Sequence, residues 1–277
     1  MLPMIDPRLS IVLSTHQAQF EAVAFKGDFE ANISKIAGWG YDGVELAIRD
    51  PRLVDVVSLE KTLASHDLQV PAIGTGQAWG EERLSFTNPD VQVRNAAVSR
   101  IKDHLQLARH LNALVIIGLI RGVTPPGQSS QQSMQYFQNC LKDCAEAAAA
   151  LDVRLAMEPL NRYETDLIHT VDEGLEFIAQ IGSPNLGLLL DTFHMNIEEA
   201  CIEESIRRCG AHIFHFHVAD SNRWHPGAGH LDFTMILQAL QATGYQGWIS
   251  GEFMPLPDSN TAAQKSIQYL KRLLPAS

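Results

Sequence analysis

The stretch "LLLDTFHMNIEE", Leu188–Glu199, joins three leucines to an aspartate and, three residues on, a histidine. The leucines read as a strand buried on both faces, the pattern of a parallel sheet covered by helices. Asp191 closes that strand. Burying a carboxylate costs several kcal/mol unless an opposite charge faces it. The end of this strand should therefore hold, or bind, a cation.

The same pattern recurs along the chain. β-rich runs read "RLSIVLST" (8–15), "YDGVELAI" (41–48), "LQVPAIG" (68–74), "ALVIIGLI" (113–120), "VRLAMEP" (153–159), "NLGLLLD" (185–191), "IFHFHVAD" (213–220) and "GWISGEF" (247–253). Amphipathic segments separate them. One puts Ala97, Ile101, Leu105 and Ala108 on a single stripe. Another opens on a Thr170–Glu173 capping box and stops at Gly182. Eight β/α units predict an α/β fold, a (β/α)8 TIM barrel, with residues 1–277 as one catalytic domain. A doubly wound open sheet is the alternative. It carries a Gly-rich phosphate loop after its first strand, where this chain reads "VLSTHQAQF".

Composition narrows the functions. The formal charge is −11, from 21 basic and 32 acidic residues, with no run of Lys and Arg. Such a chain lacks the footprint of a nucleic-acid binder. No apolar stretch approaches the ~20 residues of a membrane span, and the start lacks a signal-peptide pattern. The four cysteines, Cys140, Cys144, Cys201 and Cys209, form no C-x-x-C pair. A cytoplasmic setting is the expectation, with a small molecule as the partner.

In barrels of this kind chemistry gathers at the C-terminal ends of the strands. The later strands here end in Glu158, Asp191, His217 and Glu252. Three carboxylates facing one another repel unless a cation sits among them. Three carboxylates with an imidazole suit a hard to borderline divalent ion: Mn²⁺, Mg²⁺, Co²⁺ or Zn²⁺. Asp191 is then tolerated as a metal ligand.

"MEPLNRYET", "DTFHMNIEE", "HFHVADSNRWHPGAGH" and the Glu of "SGEF" resemble the sugar isomerase and epimerase family related to D-tagatose 3-epimerase, the xylose isomerase-like TIM barrels. The resemblance spans essentially the whole chain. It implies one ion, Mn²⁺ or Co²⁺ before Mg²⁺ or Zn²⁺, on Glu158, Asp191, His217 and Glu252. It makes Glu158 and Glu252 the acid/base pair of an enediolate mechanism, and Glu164, His194 and Arg223 substrate-binding. It also implies a homo-oligomer, a dimer or tetramer.

In the N-terminal half "AFKGDFE", "VELAIRDP", "AIGTGQA" and "VIIGLIRG" resemble the 5-keto-L-gluconate epimerases of inositol catabolism. That narrower likeness implies a keto sugar acid, converted in the manner of 5-keto-L-gluconate to D-tagaturonate. Arg49, Arg121 and Lys26, near the ends of the early strands, are then expected to hold the substrate carboxylate. In the bland reading each pairs with a nearby acid, Arg49 with Asp50 and, elsewhere, Glu164 with Arg162. Sister activities of the same barrels are a neutral ketose 3-epimerase (of D-tagatose, D-fructose or D-psicose), hydroxypyruvate isomerase and keto-inositol dehydratase. Other polar residues have structural readings: His215, on the same strand face as His217, packed inside the barrel rather than supporting a ligand from behind, Glu45 an interior polar group, His230 and Asp232 ordering a loop.

Overall fold

Leucines 188–190 lie in a strand, and its neighbours on either side run parallel to it. The computed structural model describes residues 7–274. The barrel strands are β1 (Arg8–Ser14), β2 (Gly43–Ala47), β3 (Ala72–Gly74), β4 (Leu114–Ile117), β5 (Leu155–Met157), β6 (Leu186–Asp191), β7 (Ile213–Val218) and β8 (Trp248–Gly251). Each pairs in parallel with the next, and β1 pairs with β8 to close the barrel. All eight expected strands are present. A ninth, two-residue strand at Phe25–Lys26 adds to β1 and had no signal in the sequence, being too short for periodicity.

Alternation along the strands sorts two cores. Ile73, Val115, Leu155, Leu188 and Leu190 face the helices, whereas Ala72, Leu114, Ile116, Ala156 and Leu189 form a separate cluster along the axis. Helices cover the outside. Val91–Leu111 lays Ala97, Ile101, Leu105 and Ala108 into the core with no exposed surface; full burial of one such leucine is worth about 1.5–3 kcal/mol. Val171–Ile181 begins with the Thr170–Glu173 capping box and ends at Gly182, whose φ of +73° is cheap only for glycine. The four cysteines are unpaired thiols. Among the described residues no helix is long and apolar enough to cross a membrane.

Register sets the site. Asp191 on β6 stands beside His217 on β7, and His217 beside Ser250 on β8. Between β6 and β7 the register shifts at Leu188/Leu189, so that Ile213 faces Leu188 but His215 faces Leu189. The extra residue is Phe214, which packs on the axial cluster. This bulge turns Phe214 and His215 inward in succession and brings His215 and His217 into line with Leu189 and Asp191.

Candidate metal centre and active site

Glu158 lies one residue past β5, Asp191 ends β6, His217 is near the end of β7, and Glu252 follows β8. One ligand atom from each falls within a group 4.8 Å across. His217 Nδ1 is 3.9 Å from Glu158 Oε1, 3.8 Å from Asp191 Oδ2 and 3.9 Å from Glu252 Oε2. Asp191 also caps the following helix: it accepts the Phe193 N–H at 2.7 Å through Oδ1, which leaves Oδ2 for the site. Gly118, just past β4, gives Glu158 room, since a Cβ there would stand 2.9 Å from Glu158 Oε2.

Glu158 Oε1, Asp191 Oδ2 and His217 Nδ1 are buried and have no hydrogen-bond partner. Buried polar atoms are nearly always partnered. Three bare ones, two carboxylate oxygens and an imidazole nitrogen, converging beside the carboxylate of Glu252 fit a divalent cation of the hard to borderline class. Proton affinities agree with that. Burial, then repulsion from Glu252, lifts the Glu158 carboxyl well above its ordinary range. Burial lifts Glu252 to about 7 against the pull of His217 and Arg223. Burial also raises Asp191, although His217 and Arg223 oppose it. For His217 burial works against the charge, but Glu45, Glu252 and Glu158 outweigh it and hold the imidazole at about 10. The cluster thus retains protons that a bound cation would displace.

The residues expected to bind substrate stand around this cluster. His194 Nδ1 meets the Asn161 amide nitrogen at 2.7 Å and the Asn161 backbone N–H at 3.4 Å. Both are donors, so the ring proton sits on Nε2, which is buried, partnerless and 3.8 Å from Glu158 Oε1. Burial, then Arg223, keeps this imidazole neutral by holding its pKa well below the ordinary value. Arg223 donates to Glu164 at 2.6 Å and reaches Glu252 at 3.4 Å, with its guanidinium over the Phe193 ring. Its backbone is left-handed, φ +60°. Its N–H donates to Asp220 O and its carbonyl accepts from Met254 N, both at 2.8 Å. The fully buried Asp220 carboxylate gathers the N–H groups of Ser221, Gly227 and Leu231 and so shapes the loop that carries this strain.

Several expectations need correction. Arg121 is fully buried, and its guanidinium donates to the carbonyls of Gly118, Leu167, Ile168, Ile117 and Glu158. All five N–H groups are spoken for, so none is left for a substrate carboxylate. Arg49 pairs with Glu81 at 3.0 Å and Glu82 at 3.3 Å, not with Asp50, which binds Arg52 and Arg100. Neither Arg49 nor Arg121 nor Lys26 lines the cavity above the four ligands. Glu164 pairs with Arg223, while Arg162 goes to Glu198.

Other residues of the site escaped the sequence reading. Phe20 and Leu160 wall the cavity, Asn161 orients His194, and Asp220 anchors the loop of Arg223. Asn161 lies inside the stretch "MEPLNRYET" and could have been noticed there. Phe20 lies in a loop without periodicity. His230 and Asp232 do order a loop: His230 Nδ1 meets Ser221 Oγ at 2.9 Å, and Asp232 caps the helix Phe233–Ala242.

Comparison with known proteins matches residues 33–273 to the xylose isomerase-like TIM barrel family. An L-ribulose 3-epimerase of Mesorhizobium japonicum is 32% identical over 242 residues, 87% of this chain and 80% of the relative. A D-psicose 3-epimerase of Ruminiclostridium cellulolyticum is 31% identical over 229 residues, covering 80% and 77% of the two chains. Among solved structures, one of an L-ribulose 3-epimerase superposes with a TM-score of 0.83 at 28% identity, covering 97% of this chain and 94% of that one.

Proposed function

Because the chain belongs to the xylose isomerase-like TIM barrel family, a barrel whose relatives here are epimerases and isomerases, we propose that it is a divalent-metal-dependent epimerase that inverts the carbon beside the ketone of a free, uncharged ketose. The observation that carries this reading is the convergence of Glu158, Asp191 and His217 on one point through partnerless buried atoms, with Glu252 beside them.

Epimerisation removes a proton from carbon, stabilises the enediolate left behind and returns a proton on the other face. The ion, Mn²⁺ or Co²⁺ in this proposal, supplies Lewis-acid stabilisation of the charge that develops on oxygen. Glu158 and Glu252 rise from β5 and β8, on different sides of the cluster, and each keeps a carboxylate oxygen at the cavity. One takes the proton and the other returns it, with the roles exchanged in the reverse direction. His194 offers one N–H to a sugar oxygen. Glu164 and Arg223 supply an acceptor and donors for hydroxyls.

Charge favours a neutral sugar over the keto acid that the N-terminal motifs imply. Among the described residues Arg223 is the one Lys or Arg lining the cavity, and Glu164 and Glu252 already occupy it. Apart from the ion itself, a substrate carboxylate would meet acidic groups and no unpaired cationic side chain. We expect kcat/KM for L-ribulose, D-psicose, D-fructose or D-tagatose to exceed that for 5-keto-L-gluconate and D-tagaturonate by about tenfold or more, the equivalent of ~1.4 kcal/mol. Faster turnover of the keto acids would overturn the substrate assignment.

Metal removal tests the centre itself. Dialysis against EDTA should abolish epimerisation, and Mn²⁺ or Co²⁺ should restore it at one ion per chain. Undiminished activity in protein shown by elemental analysis to be metal-free would sink the proposal.

A further inference from the structure

The barrel axis below the ligand cluster is divided by polarity. β3 to β6 contribute Ala72, Leu114, Ile116, Ala156 and Leu189, whereas β2 and β7 contribute Glu45, His215 and His217. Each of these three polar residues has about 1% of its surface exposed. Glu45 Oε2 meets His215 Nε2 at 2.7 Å and His217 Nε2 at 2.9 Å. These are hydrogen-bond contact distances, and a carboxylate between two imidazoles accepts from both. The trio is therefore closed on itself by hydrogen bonds. Its outer end matters more. His217 turns Nε2 to Glu45 and Nδ1 to Glu158, Asp191 and Glu252.

We propose that Glu45 is a positioning residue of the metal centre: by accepting the Nε2–H of His217 it fixes the tautomer and ring rotation that aim Nδ1 at the three carboxylates, and His215 holds Glu45 in that place. The inference rests on the metal-dependent reading above. Three features support it. Without Glu45, His217 Nε2–H would be buried and unpaired, and the ring would have no reason to present Nδ1 rather than its other nitrogen. His215 reaches Glu45 because the bulge at Phe214 turns it inward, where ordinary alternation from Ile213 would turn it out. Finally, both residues sit on strands, whose backbones hold a supporting side chain more firmly than loops do.

Metal-stripped wild type, Glu45→Gln, Glu45→Asp and His215→Phe are each titrated with Mn²⁺ and with Co²⁺, following heat by calorimetry and the Co²⁺ visible spectrum. Melting temperatures report folding. Glu45→Gln should bind both ions about 10–100-fold more weakly, the usual cost of losing a group that orients a metal-bound histidine. Glu45→Asp, which keeps the charge, should recover part of that loss, and His215→Phe should lose less than Glu45→Gln. Saturating Mn²⁺ should return much of the kcat of Glu45→Gln while KM for the sugar stays near the wild-type value. Wild-type affinity in folded Glu45→Gln would overturn the inference; should that variant not fold, wild-type affinity in both Glu45→Asp and His215→Phe would do so. Wild type that binds neither ion would instead overturn the metal reading, and the inference with it.

Discussion

Glu158→Gln and Glu252→Gln should each lower kcat by about 10²–10⁴-fold or more, the usual contribution of a positioned acid or base. An amide is close in size to a carboxylate but cannot accept the proton that leaves carbon. Both residues also face the centre through an oxygen, so each change removes a ligand charge as well. The two losses separate by titrating metal into each variant: acid/base loss persists at full metal occupancy, whereas ligand loss is relieved by excess ion. We expect the kcat deficit to persist in both. In D₂O the wild type should place one deuterium on the inverted carbon, because the returning proton comes from a carboxyl that exchanges with solvent. Near-normal kcat in metal-loaded Glu158→Gln or Glu252→Gln would refute the two-base reading.

The candidate site could be read from residues whose positions follow from strand periodicity. Asp191 and His217 end apolar runs, and a barrel sends such ends to one face. Partnerships between loops could not be read this way. Glu164 meets Arg223 across 59 positions, and Arg162 meets Glu198 across 36, because tertiary packing brings those loops together. Nor does proximity to a strand end decide where a long side chain points. Arg121 follows an apolar strand, as a rim residue would, yet it lies on the short 3-10 turn Leu119–Arg121, and its side chain is buried among backbone carbonyls. The period of two along a strand puts His215 and His217 on one face, and both rings do reach Glu45. The bulge that adds Phe214 beside them had no marker, since neither glycine nor proline breaks "IFHFHV".

Arg121→Ala should destabilise the fold by about 3–5 kcal/mol, the cost of breaking a buried charged hydrogen-bond network. The five carbonyls it serves belong to the ends of β4 and β5 and to the turn at Leu167–Ile168. Those of Ile117, Gly118 and Ile168 also accept a backbone N–H, from Glu158, Arg121 and Leu160. The carbonyls of Glu158 and Leu167 depend on the guanidinium, and a buried orphaned acceptor costs ~1–3 kcal/mol. Emptying the space beside Phe137, whose ring centroid lies 5.6 Å from Arg121 Cζ, adds a cavity. For a chain of this size the loss corresponds to a drop in Tm of roughly 6–20 °C. Arg121→Lys should recover little, because an ammonium offers three donors at one point where the guanidinium offers five across a plane. Since Arg121 fixes the carbonyl of Glu158 itself, kcat should fall along with stability, and for every ketose alike. A substrate-anchoring arginine would behave differently: its removal would leave Tm unchanged and raise KM for keto acids alone. That outcome would return Arg121 to the substrate site and reopen the case for an acidic sugar.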